Sequence, residues 1–509
     1  MINSWSENAW YYHQDITNLA FILIGKCNKS IVNKKKINSL LFFIFTAISI
    51  GYGQKIQWVS SLPAAQWTQE KELTFKSPNS EQPTLTIYPE QQLQRIDGFG
   101  GCFNEIGWEA LASLNAGQRN KILQELFATA GANFSICRMP IGASDYALSW
   151  YSLDDVPDDF TMRNFNIDRD RYILIPYIHA AQKIHPSLKI WASPWSPPVW
   201  MKVNNHYALT SGGVKGMKRG DNEMGILKNI GDNATAFKME NSYLEAYALY
   251  FSRFVKAYKK EGIDISAINV QNEVVYAPQW PSCTWRPEDL ALFIRKYLGP
   301  KFKTDSISTD IWLGTINNGN PDYVRRILTD TATSKYIKGV GLQWAGKKAI
   351  SAISKEFPKF ELMQTESECG EGENNWASAE HTWTLLQHYL TNGANSYMYW
   401  NMVLDSSGES SWGWPQNMLI SINKQSGEIR YNPEFYLMKH LSHFVMPGAY
   451  RIQTSGGNDH LAFINPDGTV TLLMMNSDQA SKQVVLRMNG KSVILSLKPK
   501  SFNTFSWKL

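Results

Sequence analysis

Two glutamates, Glu273 and Glu366, combine a residue type and a spacing that suit acid–base chemistry. Each ends a short apolar, β-prone run, where a strand would give way to a loop. Their separation of roughly 90 residues corresponds to about three βα units at ~30 residues per unit. Carboxylates three units apart at the carboxyl ends of barrel strands can face each other across one pocket. Such a pair can divide the two roles that glycoside hydrolysis needs, a proton donor and a nucleophile or base.

The neighbours of the two glutamates suggest which role each takes. Asn272 precedes Glu273 and can hydrogen-bond the sugar hydroxyl beside the reacting carbon while Glu273 donates the proton. As an acid near neutral pH, Glu273 needs a raised pKa, supplied by an apolar wall or by the second carboxylate. Glu366 is expected to stay ionised and attack the anomeric carbon. Glu368 and Glu371 are rivals, but Glu366 lies closest to the strand end.

Other predicted strand ends carry residues that suit the same pocket. Arg138 ends the second strand and can hold a nucleophile ionised, although a structural salt bridge is the alternative. Asp145 lies in the long loop that follows it. Trp195 stands in a proline-rich run after the third strand, where it can form a stacking wall for a sugar. Trp400 ends the eighth strand and is predicted to lie in the pocket floor.

The elements that position these residues alternate between strand and helix. The predicted strands are Arg95–Phe103, Phe134–Ile141, Leu188–Ser193, Ile265–Asn272, Ser308–Ile316, Lys338–Trp344, Phe360–Thr365 and Asn395–Met402. The predicted helices are Asn115–Thr129, Asp170–Ile184, Tyr243–Lys260, Arg286–Leu298, Pro321–Leu328 and Ala377–Thr391. Eight alternations in about 310 residues predict an α/β fold, a (β/α)8 TIM barrel.

A doubly wound open sheet is the competing fold. It would usually carry a glycine-rich phosphate turn after an early strand. The run Asp97–Gly101 lacks the G-x-G-x-x-G spacing, and no helix start follows it. It is therefore interpreted as a tight turn at the end of a barrel strand, and no cofactor is predicted.

The pattern changes after about Pro433. A last helix is predicted over Phe435–Phe444. Short alternating runs separated by turn residues then predict an antiparallel β domain; they are Leu461–Ile464, Val470–Met475, Gln483–Met488, Ser492–Leu497 and Ser501–Trp507. Because Thr84–Tyr88 is also strand-like, both chain ends are expected to build this β-sandwich side domain. The predicted parts are a leader (1–53), an N-terminal segment contributing strands to the sandwich (54–94), the catalytic barrel (95–432) and the C-terminal β-sandwich domain (433–509).

The first 53 residues resemble an export signal. Three lysines (34–36) precede the apolar stretch Leu40–Ile50, and small residues follow it. A basic flank, a short apolar core and small residues are typical of a secretory signal peptide. The apolar stretch is too short for a comfortable membrane span. The mature chain is therefore expected to be exported to the periplasm, the cell surface or the medium, with no stable membrane span.

Composition excludes several classes of protein. The net charge of +5 is small for 509 residues, and no basic stripe interleaves with aromatic residues, so nucleic-acid binding gets no support. Four cysteines lie outside the leader at spacings that fit no zinc pattern, and buried free thiols are preferred for them. Nine histidines include no H-E-x-x-H motif, so no metal site is predicted. The 19 tryptophans suit a carbohydrate partner, because a sugar's C–H face packs on an aromatic ring.

Together the strand-end motifs resemble glycoside hydrolase family 30, which includes glucosylceramidases and β-1,6-glucanases. The carrying segments are Asp97–Gly101, Arg138–Gly142 with Ser144-Asp145, Ser193–Ser196, Asn272-Glu273, Thr365–Ser367 and Tyr399–Asn401. The resemblance covers about residues 84 to 509. It implies retaining hydrolysis of β-glucosides, with Glu273 as acid/base and Glu366 as nucleophile. It also implies sugar contacts from Asp145, Trp195, Asn272 and Trp400, and a supporting role for Arg138.

One position departs from the family pattern. Glucosylceramidase-like members carry His-Trp-Tyr after the sixth strand, whereas this chain has Gln343-Trp344-Ala345. Gln343 is therefore predicted to alter the substrate-binding wall beside the nucleophile. The expected function is a glucosylceramidase-like retaining β-glycosidase acting on an oligosaccharide, polysaccharide or glycolipid. The alternatives are an endo-β-1,6-glucanase, a non-catalytic carbohydrate-binding barrel, which would usually lose one carboxylate, and a metal-dependent hydrolase, for which the histidine pattern gives no ligand motif.

Overall fold

The computed structural model describes residues 54–77, 82–213, 222 and 224–509. The predicted signal peptide therefore lies outside the described residues. The strands, numbered in chain order, are β1 (Lys55–Leu62), β2 (Ala65–Gln69), β3 (Leu73–Thr74), β4 (Leu85–Arg95), β5 (Gly98–Cys102), β6 (Ile136–Ile141), β7 (Lys189–Pro194), β8 (Ile265–Asn269), β9 (Asp310–Ile316), β10 (Ile337–Leu342), β11 (Glu361–Gln364), β12 (Ser396–Asn401), β13 (Val403–Asp405), β14 (Ile420–Ile422), β15 (Ile429–Tyr431), β16 (Tyr450–Ser455), β17 (His460–Ile464), β18 (Thr469–Asn476), β19 (Lys482–Met488), β20 (Lys491–Leu497) and β21 (Ser501–Lys508).

Helices separate the strands of the central part of the chain. The α-helices are Glu105–Ala112, Ala116–Phe127, Asp168–Tyr172, Leu174–Ile184, Asn241–Lys260, Pro287–Phe293, Gly299–Thr304, Asp322–Leu328, Thr331–Ser334, Ile350–Glu356, Trp376–Thr391 and Pro433–Ser442. A π-helical turn over Ile294–Leu298 joins two of them. Within the described ranges, none of these helices has the length and apolar content needed to cross a membrane.

Strands β5 to β12 close into a parallel barrel in chain order, with β12 pairing β5. The predicted (β/α)8 barrel is thus confirmed, and each of the eight predicted strands overlaps one barrel strand. The fourth is shorter than predicted, because β8 ends at Asn269 and not at Asn272. The backbone after Asn269 still hydrogen-bonds to the neighbouring strand β7, because the Asn272 N–H donates to the Pro194 carbonyl oxygen at 2.8 Å.

Side chains inside the barrel form layers, because alternate residues of a strand point to the same face. A lower layer of six buried residues packs together; they are Ile136, Trp191, Ala267, Trp312, Met363 and Met398. Two residues further along their strands stand Arg138, Ser193 and Trp400. The polar residues at the carboxyl ends of the strands therefore rest on an apolar floor within the barrel.

The glycine-rich run at Gly98 is the first barrel strand itself, so its interpretation as a tight turn is wrong. Its glycines are needed because neighbouring strands approach closely. A Cβ at Gly100 would lie 1.9 Å from the Ile136 carbonyl oxygen, and Gly98 has a φ of +145°. Close packing between β5 and β6 therefore explains the glycines of this motif, and a phosphate-binding turn is not needed to explain them.

The side domain is a ten-stranded sheet drawn from both ends of the described chain, as predicted. Its order is β2-β1-β21-β18-β17-β16-β4-β19-β20, with β3 also on β1. The prediction of a purely antiparallel domain is wrong at one place, where β4 and β19 run parallel. Strand β16 was not predicted; it pairs with β4 across more than 350 residues of sequence. The proposed domain boundaries stay predictions.

Candidate active site

Arg138 joins the residues at the carboxyl ends of four barrel strands. Its guanidinium is fully buried and donates to Glu366 Oε2 at 2.8 Å and to Asn272 Oδ1 at 2.6 Å. It also donates to Ser193 Oγ at 2.9 Å and to the Thr365 carbonyl at 3.2 Å. Because arginine stays charged, it places a permanent positive charge beside Glu366.

Three tryptophans surround this guanidinium. Its carbon lies 4.3 Å from the ring centre of Trp195, 5.1 Å from that of Trp191 and 5.3 Å from that of Trp400. Trp195 and Trp400 also stack on each other at 5.3 Å. Cation–π contacts and rigid rings hold Arg138 in one position, which is needed for a buried charge to act on one carboxylate.

Glu366 receives an N–H donor on each carboxylate oxygen. Arg138 Nη1 bonds Oε2 at 2.8 Å, and Trp344 Nε1 bonds Oε1 at 3.0 Å. Trp344 reaches this position from a left-handed backbone with a φ of +47°. Burial raises the pKa of Glu366 above its ordinary value, although the Arg138 charge and these donors act to lower it. The geometry therefore suits a carboxylate that carries its charge inside a pocket.

Glu273 lies in a different environment. Its backbone is left-handed, with a φ of +53°, which is uncommon for a non-glycine residue and often marks a functional site. The Glu273 N–H donates to Thr315 Oγ1 at 3.1 Å. Its carboxylate receives one long contact, from Gln343 Nε2 at 3.4 Å to Oε1. Burial, followed by the nearby charge of Glu366, raises the pKa of Glu273 to about 8.

The amide of Asn272 has a defined orientation. Its Oδ1 accepts from Arg138 Nη2 at 2.6 Å, Thr315 Oγ1 at 3.1 Å and Gln343 Nε2 at 3.3 Å. Three donors around the oxygen leave the Nδ2 group as the part of Asn272 that a ligand can use. Asn272 lines the pocket, so this amide can donate a hydrogen bond into it.

Asp145 is a buried carboxyl on the pocket wall. Its Oδ1 has no hydrogen-bond partner among the described residues. Burial, with the charges of Glu366 and Glu273, raises its pKa well above the ordinary range of an aspartate. A buried polar atom without a partner is costly, and a ligand hydroxyl would satisfy it.

The pocket has a volume of about 600 Å³ and opens at the carboxyl ends of the strands. Both glutamates line it, together with Asp145, Trp195 and Asn272. Its mouth combines aromatic rings with amide and acidic side chains. The mouth residues include Asp232, Asn233, Tyr276, Trp280, Asn317, Asn318, Glu371, Trp414 and Gln416. The Trp280 and Trp414 rings lie 4.5 Å apart.

Three predicted site residues lie behind the pocket wall. Arg138 and Gln343 have no exposed surface, Trp400 has 1%, and none of them lines the pocket. The Gln343 amide contacts four protein groups, which argues against its predicted direct contact with a sugar. The rival Glu368 is placed elsewhere, where Lys347 and His381 bond it. Although burial raises the pKa of Glu368, His381 and Lys347 lower it below its ordinary value.

Sequence reasoning missed several residues that the structure brings to the site. Trp344 donates to Glu366, and Thr315 donates to Asn272. Trp280 and Trp414 form the mouth. The tryptophans in loops after predicted strands were a usable signal, whereas nothing local marks Thr315. Within the described part of the chain, no three His, Cys, Asp or Glu side chains are grouped to hold a metal ion.

The chain matches two family models in sequence. They are the Glycosyl hydrolase family 30 TIM-barrel domain over residues 96–445 and the Glycosyl hydrolase family 30 beta sandwich domain over residues 448–505. Together they cover the barrel and most of the C-terminal strands of the side domain.

Glucosylceramidases and β-1,6-glucanases are among the relatives of this chain. The lysosomal acid glucosylceramidase of Mus musculus is 25% identical over 456 residues, 83% of each chain. The endo-1,6-beta-D-glucanase neg1 of Aspergillus fumigatus is 27% identical over 406 residues, 75% of this chain and 79% of the relative. The solved structure of the endo-beta1,6-glucanase BT3312 superposes with a TM-score of 0.76 at 26% identity, covering 89% of this chain and 100% of that one. The chain therefore belongs to glycosyl hydrolase family 30 and is a glycosidase.

Proposed function

We propose that this glycosidase hydrolyses β-glucosidic bonds by double displacement, with Glu366 as nucleophile and Glu273 as acid/base. The single observation that carries the assignment is the unequal supply of donors. Glu366 has two N–H donors within 3.0 Å, one of them a buried arginine, whereas Glu273 has one at 3.4 Å. In a shared pocket the negative charge therefore favours Glu366 and the proton favours Glu273.

In the first step a Glu366 oxygen attacks the anomeric carbon as the bond to the leaving-group oxygen breaks. The proton of Glu273 passes to that oxygen, and a covalent glycosyl–Glu366 ester forms. Loss of charge at Glu366 then lowers the pKa of Glu273, because the like charge beside it has gone.

In the second step Glu273 takes a proton from water while the water oxygen attacks the anomeric carbon. The bond to Glu366 breaks, Glu366 recovers its charge, and Glu273 again holds the proton. The free Nδ2 of Asn272 suits the hydroxyl next to the anomeric carbon, and the unpartnered Asp145 oxygen suits another hydroxyl of the same sugar. Trp195 supplies an aromatic wall.

The residues at the pocket mouth would contact the leaving-group part of the substrate. Trp280 and Trp414 can stack on a sugar, and the amides of Asn233, Asn317 and Gln416 can bond its hydroxyls. This mixture of rings and amides supports a second candidate, an endo-β-1,6-glucanase, beside a glucosylceramidase-like activity. A glycolipid chain would leave those amides without partners, at a cost for each desolvated group.

The proposal predicts which anomer of the product forms first and which class of substrate is cleaved. Proton NMR of a fresh digest should show the β-anomer of the new reducing sugar first, before mutarotation. We expect cleavage of aryl β-glucosides and of either β-1,6-glucan or glucosylceramide in a side-by-side panel. An α-anomer as first product would contradict double displacement, and cleavage of xylan alone would contradict the substrate class.

The pKa values predict the pH dependence. Glu273 must be protonated and Glu366 ionised in the free enzyme, so the plot of kcat/KM against pH should be bell-shaped. Activity should fall as pH rises through about 8, where Glu273 loses its proton. The acid limb should lie above the ordinary pKa of a glutamate, 4.5, because burial raises the pKa of Glu366. A profile flat from pH 6 to pH 10 would rule out Glu273 as the acid.

We also propose that the mature protein is exported. The support is the basic and apolar sequence pattern before residue 54. Cell fractionation followed by N-terminal sequencing of the mature protein tests this directly. A full-length chain that stays in the cytoplasm would contradict it.

A further inference from the structure

Gln343 touches groups on both sides of the proposed pair. Its Oε1 accepts from Thr365 Oγ1 at 2.8 Å and lies 3.5 Å from Arg138 Nη1. Its Nε2 donates to Asn272 Oδ1 at 3.3 Å and to Glu273 Oε1 at 3.4 Å. The amide therefore spans from the arginine that serves Glu366 to the carboxylate of Glu273.

The orientation of this amide is determined by its neighbours. Arg138 can only donate, so it must face the amide oxygen. Asn272 Oδ1 already accepts from Arg138, so it too must face a donor, the amide nitrogen. With both ends occupied and no exposed surface, Gln343 has no group left for a substrate.

We propose that Gln343 is a positioning residue, whose amide N–H holds Glu273 in place and stabilises the ionised form that Glu273 needs as base in the second step. The inference rests on the proposed double displacement. In the glycosyl-enzyme, Glu366 carries no charge, and the Gln343 N–H is the one side-chain donor to the Glu273 carboxylate in the described part of the chain. Gln343 is neutral, so it provides this hydrogen bond without adding a titrating group.

Two substitutions separate this role from a structural one. Gln343→Met keeps the length of the side chain and removes both ends of the amide. Gln343→Glu keeps an oxygen for Thr365 and Arg138, removes the donor and brings a third carboxyl near Glu273. Both should raise the pKa of Glu273, and the Glu variant should raise it more, because a like charge adds to the lost hydrogen bond. If Gln343 only filled space, the two variants would not differ in this order in the pKa of Glu273.

The experiment measures kcat/KM against pH with phenyl β-glucoside, whose poor leaving group needs the proton of Glu273 in the first step. It measures kcat and the azide effect with 2,4-dinitrophenyl β-glucoside, for which the second step is the slow one. The alkaline limb should move up by about one pH unit in Gln343→Met and further in Gln343→Glu. The value of kcat at pH 6 should fall by up to about ten-fold, since a rise of one unit in the pKa of Glu273 lowers the fraction ionised as base in the second step. Azide needs no base, so it should accelerate the Met variant more than the wild type and yield glucosyl azide.

Gln364→Met is the matched control. Gln364 is equally buried, and its Oε1 accepts from the Met398 N–H at 2.8 Å. It should leave the alkaline limb in place. Thermal unfolding identifies a variant that is poorly folded, and the Glu variant then carries the test.

The possible outcomes are distinct. Alkaline limbs that coincide with that of the wild type, or no azide effect in either Gln343 variant, would overturn the positioning role while the wild type still cleaves β-glucosides. A wild type inactive on every β-glucoside would instead overturn the proposed function on which the inference rests.

Discussion

Glu366→Gln should lower kcat/KM for every β-glucoside by about 10⁴-fold, which corresponds to ~5 kcal/mol of transition-state stabilisation. The amide keeps the volume and one acceptor oxygen but cannot form the glycosyl ester. The Gln oxygen can still accept from Arg138, which also keeps Ser193 Oγ and the Thr365 carbonyl as acceptors. The loss is then confined to the acceptor of the Trp344 N–H, so the fold should survive. Steady-state kinetics with an aryl β-glucoside, at a temperature below the melting transition of the variant, measures the effect.

The same position can be tested by trapping the intermediate. A 2-deoxy-2-fluoro-β-glucoside with a dinitrophenolate leaving group should inactivate the wild type and add its sugar to the peptide that contains Glu366. Glu368→Gln is the matched control, because Glu368 lies two residues away and bonds Lys347 and His381 outside the pocket. It should keep most of the activity. Label on Glu368, or a Glu366→Gln enzyme as active as the control, would refute the assignment.

Glu273→Ala should have an effect that depends on the leaving group. For glucan, glucosylceramide or another substrate with a poor leaving group, kcat/KM should fall by about 10²–10⁴-fold, the usual contribution of general acid catalysis. For 2,4-dinitrophenyl β-glucoside the first step needs little protonation, so kcat/KM should fall far less. The slow second step should then limit kcat, and azide should restore it.

Product analysis completes this test. Azide should give β-glucosyl azide, because it attacks the glycosyl–Glu366 ester from the face where Glu273 stood. Glu371→Ala is the comparison, since Glu371 is another carboxylate that lines the pocket. It should show no dependence on leaving group and no azide effect. An equal loss on all substrates in Glu273→Ala would assign Glu273 to binding and not to proton transfer.

The two assignments also explain why buried charge is tolerated here. Glu273, Glu366 and Asp145 are all buried around one pocket, yet within the described residues the one buried cation that bonds any of them is Arg138, on Glu366. Repulsion and desolvation keep protons on part of this set near neutral pH. In the proposed assignment, a charge on Glu366 and a proton on Glu273 would make the pocket ready for the first step before substrate arrives.

The amino-acid sequence by itself determined the architecture and the two glutamates. Period-two and helical patterns alternate along the chain, and such patterns depend on local residue order, so all eight barrel strands could be predicted. Asn272-Glu273 and Thr365-Glu366 stand at strand ends, and a parallel barrel brings all such ends to one face.

Asn272 beside Glu273 suggested different roles for the two carboxylates, but only the tertiary structure decided their different surroundings. The Arg138 and Trp344 donors, the left-handed backbone at Glu273 and the engaged amide of Gln343 arise from contacts between strands far apart in sequence. The same reason explains why β16 was missed, because its partner β4 lies more than 350 residues away. The local sequence pattern identifies the residues that can do chemistry. Long-range packing determines the protonation state and the contacts of each.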